Sequence, residues 1–187
     1  MKAYNFNPFP QLVSERLVLR AFKDSDNAHI FGLRSDPLVM KYLDRPLMQN
    51  IEEANLLIQK IVASLQSNAG ITWVITLQNG DELLGTIGFW KMDPENARAE
   101  IGYMLRPAFQ GKGFMQEALR TVIHYGFTEL ALHSVEANVN PDNQSSIKLL
   151  EKSGFVKEGY FRENYFFDGK FIDSAIYSLL CPADIIQ

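Results

Sequence analysis

One cysteine, Cys181, stands in 187 residues, so no internal disulfide can staple the chain. The fold must therefore rest on its core, and a lone thiol favours a reducing compartment. No run of about 18 apolar residues occurs, so no membrane-spanning helix is expected. The opening stretch Met1 to Pro10 is too polar and too broken by proline to be a signal peptide. Together these give the expectation of a cytoplasmic protein that needs no membrane. Positive charge is not in excess either: 18 Lys and Arg against 22 Asp and Glu leave a net charge of −4. That balance argues against a nucleic-acid surface and is compatible with a cationic acceptor. Three histidines, His29, His124 and His133, share no metal-ligand spacing with one another or with Cys181, so no metal site is expected. Repeats, linkers and low-complexity segments are absent, which points to one domain.

What is present is a globular composition, 47% hydrophobic and 21% charged, in a chain long enough to bury a sizeable core. Residues 1–11, with two prolines and no period, read as an arm whose Phe6 and Phe9 pack on the body, and 12–187 as the domain. Leu12 to Phe22 reads as a strand. Asp24 and Ser25 cap a short helix containing Ile30 and Leu33, and Asp36-Pro37 restarts it. Asn50, three residues ahead of Glu53, opens a clearer helix whose face is Leu56, Leu57, Lys60, Ile61, Ala63 and Leu65, ended by Asn68 and Gly70. A three-stranded meander follows: Ile71 to Leu77, a hairpin turn at Asn79-Gly80, Glu82 to Lys91, a turn over 93–96, and Ala97 to Leu105. His133 to Val139 is a strand, and Asn143 to Ser153 a helix closed by Gly154. Phe155 to Leu180 makes two strands around Asp168-Gly169. The fold class is α+β, in the order β-α-α-β-β-β-α-β-α-β-β.

The third meander strand is the centre of the chain. Ala97, Ala99, Ile101, Tyr103 and Leu105 alternate with period two until Pro107 stops the ladder. Met115, Ala118, Leu119, Val122, Gly126 and Leu130 then recur at three and four residues, predicting a helix from near Gly113 to about Leu132. Between them lies Gln110-Gly-Lys-Gly113. Two glycines at a helix mouth allow a tight turn and close approach to a ligand, with amides free and the positive end of the helix dipole behind them, which suits a pyrophosphate. A Walker loop would need glycine at Arg106 and Ser or Thr at Gly113, and a dinucleotide fingerprint would need glycine at Gln116. Neither fits.

Gln110-Gly-Lys-Gly-Phe-Met115 after Tyr103-Met-Leu105 resembles the acetyl-coenzyme A loop of the GNAT acetyltransferase superfamily, with Met115 where that family prefers a tiny residue. Asn138, and the run from Asn143 through Ser146 to Glu151-Lys-Ser-Gly-Phe155, resemble its second conserved block. Ser146, Glu158-Gly159 and Ser14-Glu-Arg-Leu-Val-Leu-Arg20 are most similar to the RimJ/RimL ribosomal-protein acetyltransferase branch. The likeness runs from Leu12 to Leu180. It implies a mostly antiparallel twisted sheet flanked by helices, acetyl-coenzyme A as cosubstrate without a metal, and acetyl transfer to an amine, first of all a protein N-terminus. Polyamine or amino-sugar transfer and a non-catalytic acyl-coenzyme A module are the alternatives, and the chain is a monomer or homodimer. The coenzyme set is Tyr103, Met104 and Leu105 by their backbone, then Gln110, Gly111, Lys112, Gly113, Phe114, Met115, Asn138 and Asn143. Asn143 can also cap its helix.

A protonated amine must lose its proton before it attacks, and Glu100 is the candidate base; a solvated charge is the alternative. Many superfamily members protect the departing thiolate with a tyrosine, but that position here is Leu150. Ser146, one turn earlier on the same helix face, is the substitute that the branch suggests; otherwise it serves only the helix terminus. Phe31, Tyr42, Trp90, Tyr165 and Phe167 are candidates to line the acceptor pocket, with core packing as the alternative for each.

Overall fold

The structure, a computed structural model, describes residues 4–183; the outermost residues of the arm, 1–3, and of the domain, 184–187, lie outside these. Eight strands form one sheet: β1 Leu12–Val13, β2 Leu17–Arg20, β3 Ile71–Leu77, β4 Gly85–Asp93, β5 Arg98–Leu105, β6 Ser134–Val139, β7 Val156–Phe167 and β8 Lys170–Leu180. Their spatial order is β1-β2-β3-β4-β5-β6-β8-β7. Neighbours pair antiparallel except β5 and β6, which run parallel. The helices are α1 Asn27–Ser35, α2 Pro37–Met40, α3 Ile51–Gln66, α4 Phe114–Thr128 and α5 Gln144–Lys152. A parallel pair requires a crossover, and α4 provides it.

Strand alternation splits the core in two. On one face Trp73, Ile75, Ile87, Phe89, Ala99 and Ile101 meet Ala118, Leu119, Val122 and Phe127 of α4. On the other, Val74 and Met104 meet Ile30 and Leu33 of α1 and Ala54 of α3. α4 lies so close to β4 that a methyl group on Gly126 would stand 2.8 Å from the Phe89 ring. Glycine there admits the helix to the sheet. The arm packs as expected and goes further, since Tyr4 and Phe6 belong to the larger core. Phe9 meets Trp73 edge to face, and the Trp73 indole donates to the Pro10 carbonyl at 2.7 Å.

Local capping chemistry acts at three of the places the sequence indicates but not at Asp24 and Ser25, which lie in a 3-10 turn, Asp24–Asp26, ahead of α1; the N-cap there is Asp26, whose carboxylate is held by Arg20 and caps no amide of α1. Asn50, Asp36 and Asn143 accept from the amides of Glu53, Leu38 and Ser146. Elsewhere the boundaries move. Leu12 to Phe22 is two strands folded on each other, Leu12 opposite Leu19, because the turn between them is held by contacts from α4 described below. The predicted tight hairpin at Asn79-Gly80 is a longer connection over 78–84: Leu83 and Leu84 are drawn into opposite cores, so β4 starts at Gly85. Ala97 lies outside β5 with φ 49°. α4 ends at Thr128 rather than near Leu132. Leu130 and Leu132 continue the apolar period from a reversal at Ala131 (φ 53°), where the Leu132 amide bonds back to Gly126. α3 buries Ala54 and packs Leu57 and Ile58, partly buried, beside it, whereas Leu56, Lys60 and Ala63 face outward. Among the described residues no helix is long and apolar enough to cross a membrane.

Candidate active site

The site grows from a break in the sheet. β5 and β6 pair only at Arg98–Ser134, Ala99–Val135 and Glu100–Glu136. Beyond Glu100 the outer edges remain occupied, β5 by β4 as far as Leu105 and β6 by β8 as far as Val139. The two strands therefore part while each stays rigid, leaving a wedge with strand edges on both sides. Such an edge accepts an extended ligand as an added strand would. Tyr103, Met104 and Leu105 lie along one side and Asn138, exposed, along the other. The Gln110 side-chain amide donates to the Leu105 carbonyl at 2.9 Å, which folds the following loop back on the strand end.

At the mouth of the wedge Gly111 (φ 73°) and Gly113 (φ 78°) occupy the left-handed region, as the glycine reading requires. Gly113 is the N-cap residue of α4 and supplies no side chain to it. The first amides of α4 are thus left to a ligand, with the helix dipole behind them. Lys112 is exposed, and Met115 is half-buried against the core.

A cation that the sequence reading did not select joins this loop. Arg16 Nη1 donates to the Lys112 carbonyl at 3.1 Å, and its guanidinium lies over the Phe114 ring, 4.7 Å from the centroid. Glu117 fixes it there, accepting from Ser14 Oγ (2.7 Å), the Arg16 amide (2.8 Å) and Arg16 Nε (2.7 Å). Burial alone would raise the Glu117 pKa, but these hydrogen bonds and the Arg16 charge outweigh it and lower it. Lowered in the fold, the group contributes stability above its unfolded pKa of about 4.5 and loses it as pH falls through the folded value. Glu117→Gln is therefore expected to lower stability by ~1–2 kcal/mol near neutrality. The Tm gap from the wild type should close at acid pH; a gap constant down to pH 3 would show that charge is not involved.

Across the wedge the Tyr103 hydroxyl and Ser146 Oγ share a hydrogen bond of 2.8 Å. Asn143 positions the serine by capping α5. Burial pushes the Tyr103 phenol up to about 12, against a smaller opposing effect of its bond to Ser146, so it remains a proton donor at neutral pH. Ser145 is exposed and Leu150 is wholly buried in the core. Ser146 thus has its own partner on β5. A tyrosine at 150 would have to displace core side chains.

Glu100 is not part of that pair. It is the last β5 residue before the split, 7% exposed, and its Oε2 accepts from Lys91 Nζ at 2.7 Å. Strand alternation places it on the face of Met104, opposite Tyr103. With Lys91, Asp93, Arg98, Ala99 and Glu136 it lines a cavity of about 200 Å³, in which Arg98 pairs with Glu136. A fully solvated charge, the alternative considered above, does not describe it. Of the aromatic candidates for the acceptor pocket, Tyr165 donates to the Asp44 carbonyl at 3.3 Å, Phe31 of α1 is partly buried against the smaller core and Trp90 is 41% exposed. Tyr42 has the Lys41 ammonium over its ring and Phe167 closes β7.

A sheet split at one parallel pair, with a glycine loop and an uncapped helix at the mouth of the split, suits an extended, phosphate-bearing ligand, as a group-transfer enzyme requires of its donor site. The chain belongs to the GNAT acetyltransferase family: a model described as acetyltransferase (GNAT) domain matches residues 16–156. It is similar to the uncharacterized N-acetyltransferase YoaA of Bacillus subtilis, 39% identical over 176 residues covering 94% of this chain and 99% of that one. Its fold is similar to that of RimL, the ribosomal L7/L12 alpha-N-protein acetyltransferase in complex with coenzyme A, with TM-score 0.85, 26% identity and coverage of 94% and 100%. It also resembles the spermidine N-acetyltransferase of Vibrio cholerae in complex with coenzyme A and spermine, with TM-score 0.81, 26% identity and coverage of 93% and 100%. The protein is an N-acetyltransferase.

Proposed function

We propose that the protein moves the acetyl group of acetyl-coenzyme A to a primary amine, in the first instance a protein N-terminal amine, by direct attack in a ternary complex. The residues fit the coenzyme: the wedge edges at Tyr103 to Leu105 and Asn138 receive its pantetheine arm, and the amides from Gly111 to Met115 receive its pyrophosphate. Gln110 holds this loop to the strand, while Arg16 and Lys112 add positive charge beside it. When bound, the coenzyme supplies an activated thioester. Glu100 takes the proton that the attacking amine must lose. Tyr103 and Ser146 donate at the departing sulfur, and Asn143 holds Ser146 in place. Base and donors on opposite faces of β5 suit a reaction whose entering nitrogen and leaving sulfur flank one acyl carbon.

The observation that carries this reading is the Tyr103–Ser146 hydroxyl pair across the wedge. A non-catalytic coenzyme module has no use for a donor there. Ser146→Ala and Tyr103→Phe are each expected to lower kcat by roughly 10- to 10²-fold with KM little changed, and the double variant by much less than the product. Ser145→Ala should be milder. Full activity of Ser146→Ala would return the serine to the helix terminus. The acceptor class is tested by thiol release from acetyl-coenzyme A with N-terminal peptides, polyamines and amino sugars. Tight coenzyme binding without thiol release from any of them would favour the binding module.

A further inference from the structure

Arg16, Arg20, Arg98 and Arg106 each meet a carboxylate, respectively Glu117, Asp26 with Asp81, Glu136 and Glu82. Arg34, in the last turn of α1, meets none among the described residues, and its Nε is wholly buried without a hydrogen-bond partner. The charge that acts on it is another cation, Arg45. Burial first, and Arg45 second, lower the Arg34 pKa to about 10. The nearby acids in sequence do not neutralise it: Asp36 caps α2, and Asp44, beside Arg45, forms no ion pair with either arginine. A cation near a helix C-terminus is favoured by the dipole. That accounts for its place but not for an enclosed N–H with nothing to donate to, which folding disfavours.

The surroundings say what the arrangement serves. The segment 41–50 folds over the end of α1, the Met48 amide donating to the Arg34 carbonyl at 3.0 Å. Leu43 and Met48 pack into the cluster that holds Met104 of β5. Tyr165 of β7 reaches the same segment at the Asp44 carbonyl. Arg34 and the segment that carries the exposed Arg45 thus border the cluster on the face of β5 that also carries Glu100, the side from which the proposed base meets the acceptor. We propose that Arg34, assisted by Arg45, binds a carboxylate or phosphate on the molecule that carries the acceptor amine, so that the preferred acceptor is an acidic peptide N-terminus and not a polycation. Guanidinium forks recognise such anions by paired donors, and two unneutralised cations repel a polyamine.

This rests on the N-acetyltransferase reading, and two independent measurements separate them. The first is inorganic phosphate binding to coenzyme A-saturated protein, followed through the arginine Nε–H resonances, with the phosphate loop already occupied. Saturable binding is expected, weakened roughly 10-fold or more in Arg34→Met, with Tm in phosphate-free buffer unchanged or higher because an unpaired buried charge has gone. Equal phosphate affinity in both proteins, or a Tm several degrees lower in the variant with no change in anion binding, would make Arg34 structural and overturn the proposal. The second is kcat/KM for matched peptides with acidic or basic residues after the amine, with glutamate and spermidine as small-molecule arms. The acidic peptide should lead the basic one by roughly 10- to 100-fold, mainly through KM, and Arg34→Met should erase the lead. Preference for spermidine, or an unchanged ratio in the variant, overturns the acceptor assignment. Glutamate matching the peptide would assign the carboxylate to a small amine. Arg34-dependent phosphate binding without turnover of any acceptor would support the anion site and defeat the acetyltransfer reading instead.

Discussion

Gly113→Val is expected to weaken acetyl-coenzyme A binding on the order of 10²-fold while the protein stays folded. Gly113 holds φ 78° at the first step of α4. A β-branched residue is a genuine outlier there, so the loop must either store ~1–3 kcal/mol of strain or turn its amides away from the helix axis. Space alone is a lesser obstacle, since the nearest atom to an added Cβ is Arg16 Nη2 at 3.4 Å, the end of a flexible side chain. Calorimetry measures the affinity and a melting curve the fold. Gly111→Ala is the internal comparison: φ is also positive, yet nothing lies within 4 Å of the added carbon, so any loss there comes from backbone conformation. Unchanged affinity in folded Gly113→Val would remove the loop from the coenzyme site.

Glu100→Gln is expected to leave coenzyme affinity nearly intact and lower turnover by ~10²-fold or more. Its partner Lys91 has a 61% exposed side chain, so releasing that ion pair alone should cost little stability. The loss should shrink as pH rises toward the amine's own pKa, ~8 for a chain terminus, because the acceptor then arrives deprotonated. A pH–rate profile of both proteins with a peptide acceptor decides this. A loss of equal size at every pH would mean that Glu100 orients the acceptor's charge, and no loss would leave it a partner of Lys91 only.

How far the sequence could be read depended on the range of each interaction. Asn50, Asp36 and Asn143 cap helices through amides two or three residues away, and such signals survive in local pattern. The glycine loop was legible because its backbone requirement belongs to the loop itself. The Tyr103–Ser146 bond spans 43 positions and the Arg16–Lys112 bond 96, and no periodicity encodes either. Tyr103 was therefore assigned to the coenzyme by its backbone alone, and Arg16 was passed over inside a strand-like run. Leu130 and Leu132 misled for a different reason. Burial sets the apolar period, and a chain that reverses into the core keeps the period after the helix has ended.

The two tryptophans give this protein two separable optical signals. Trp73 is fully buried between Phe9, Phe89 and Tyr125, with its indole N–H on the Pro10 carbonyl. Its emission should be blue-shifted, closed to iodide, and sensitive to whether the first strands and the preceding segment are seated. Trp90 is partly in solvent beside Lys91, directly opposite Glu100 on the β4–β5 ladder, with its indole nitrogen 3.6 Å from where a Gly102 side chain would begin. It should emit further to the red and be accessible to quencher. Denaturation can thus be followed through one fluorophore and occupancy near Glu100 through the other, without a label or a substitution.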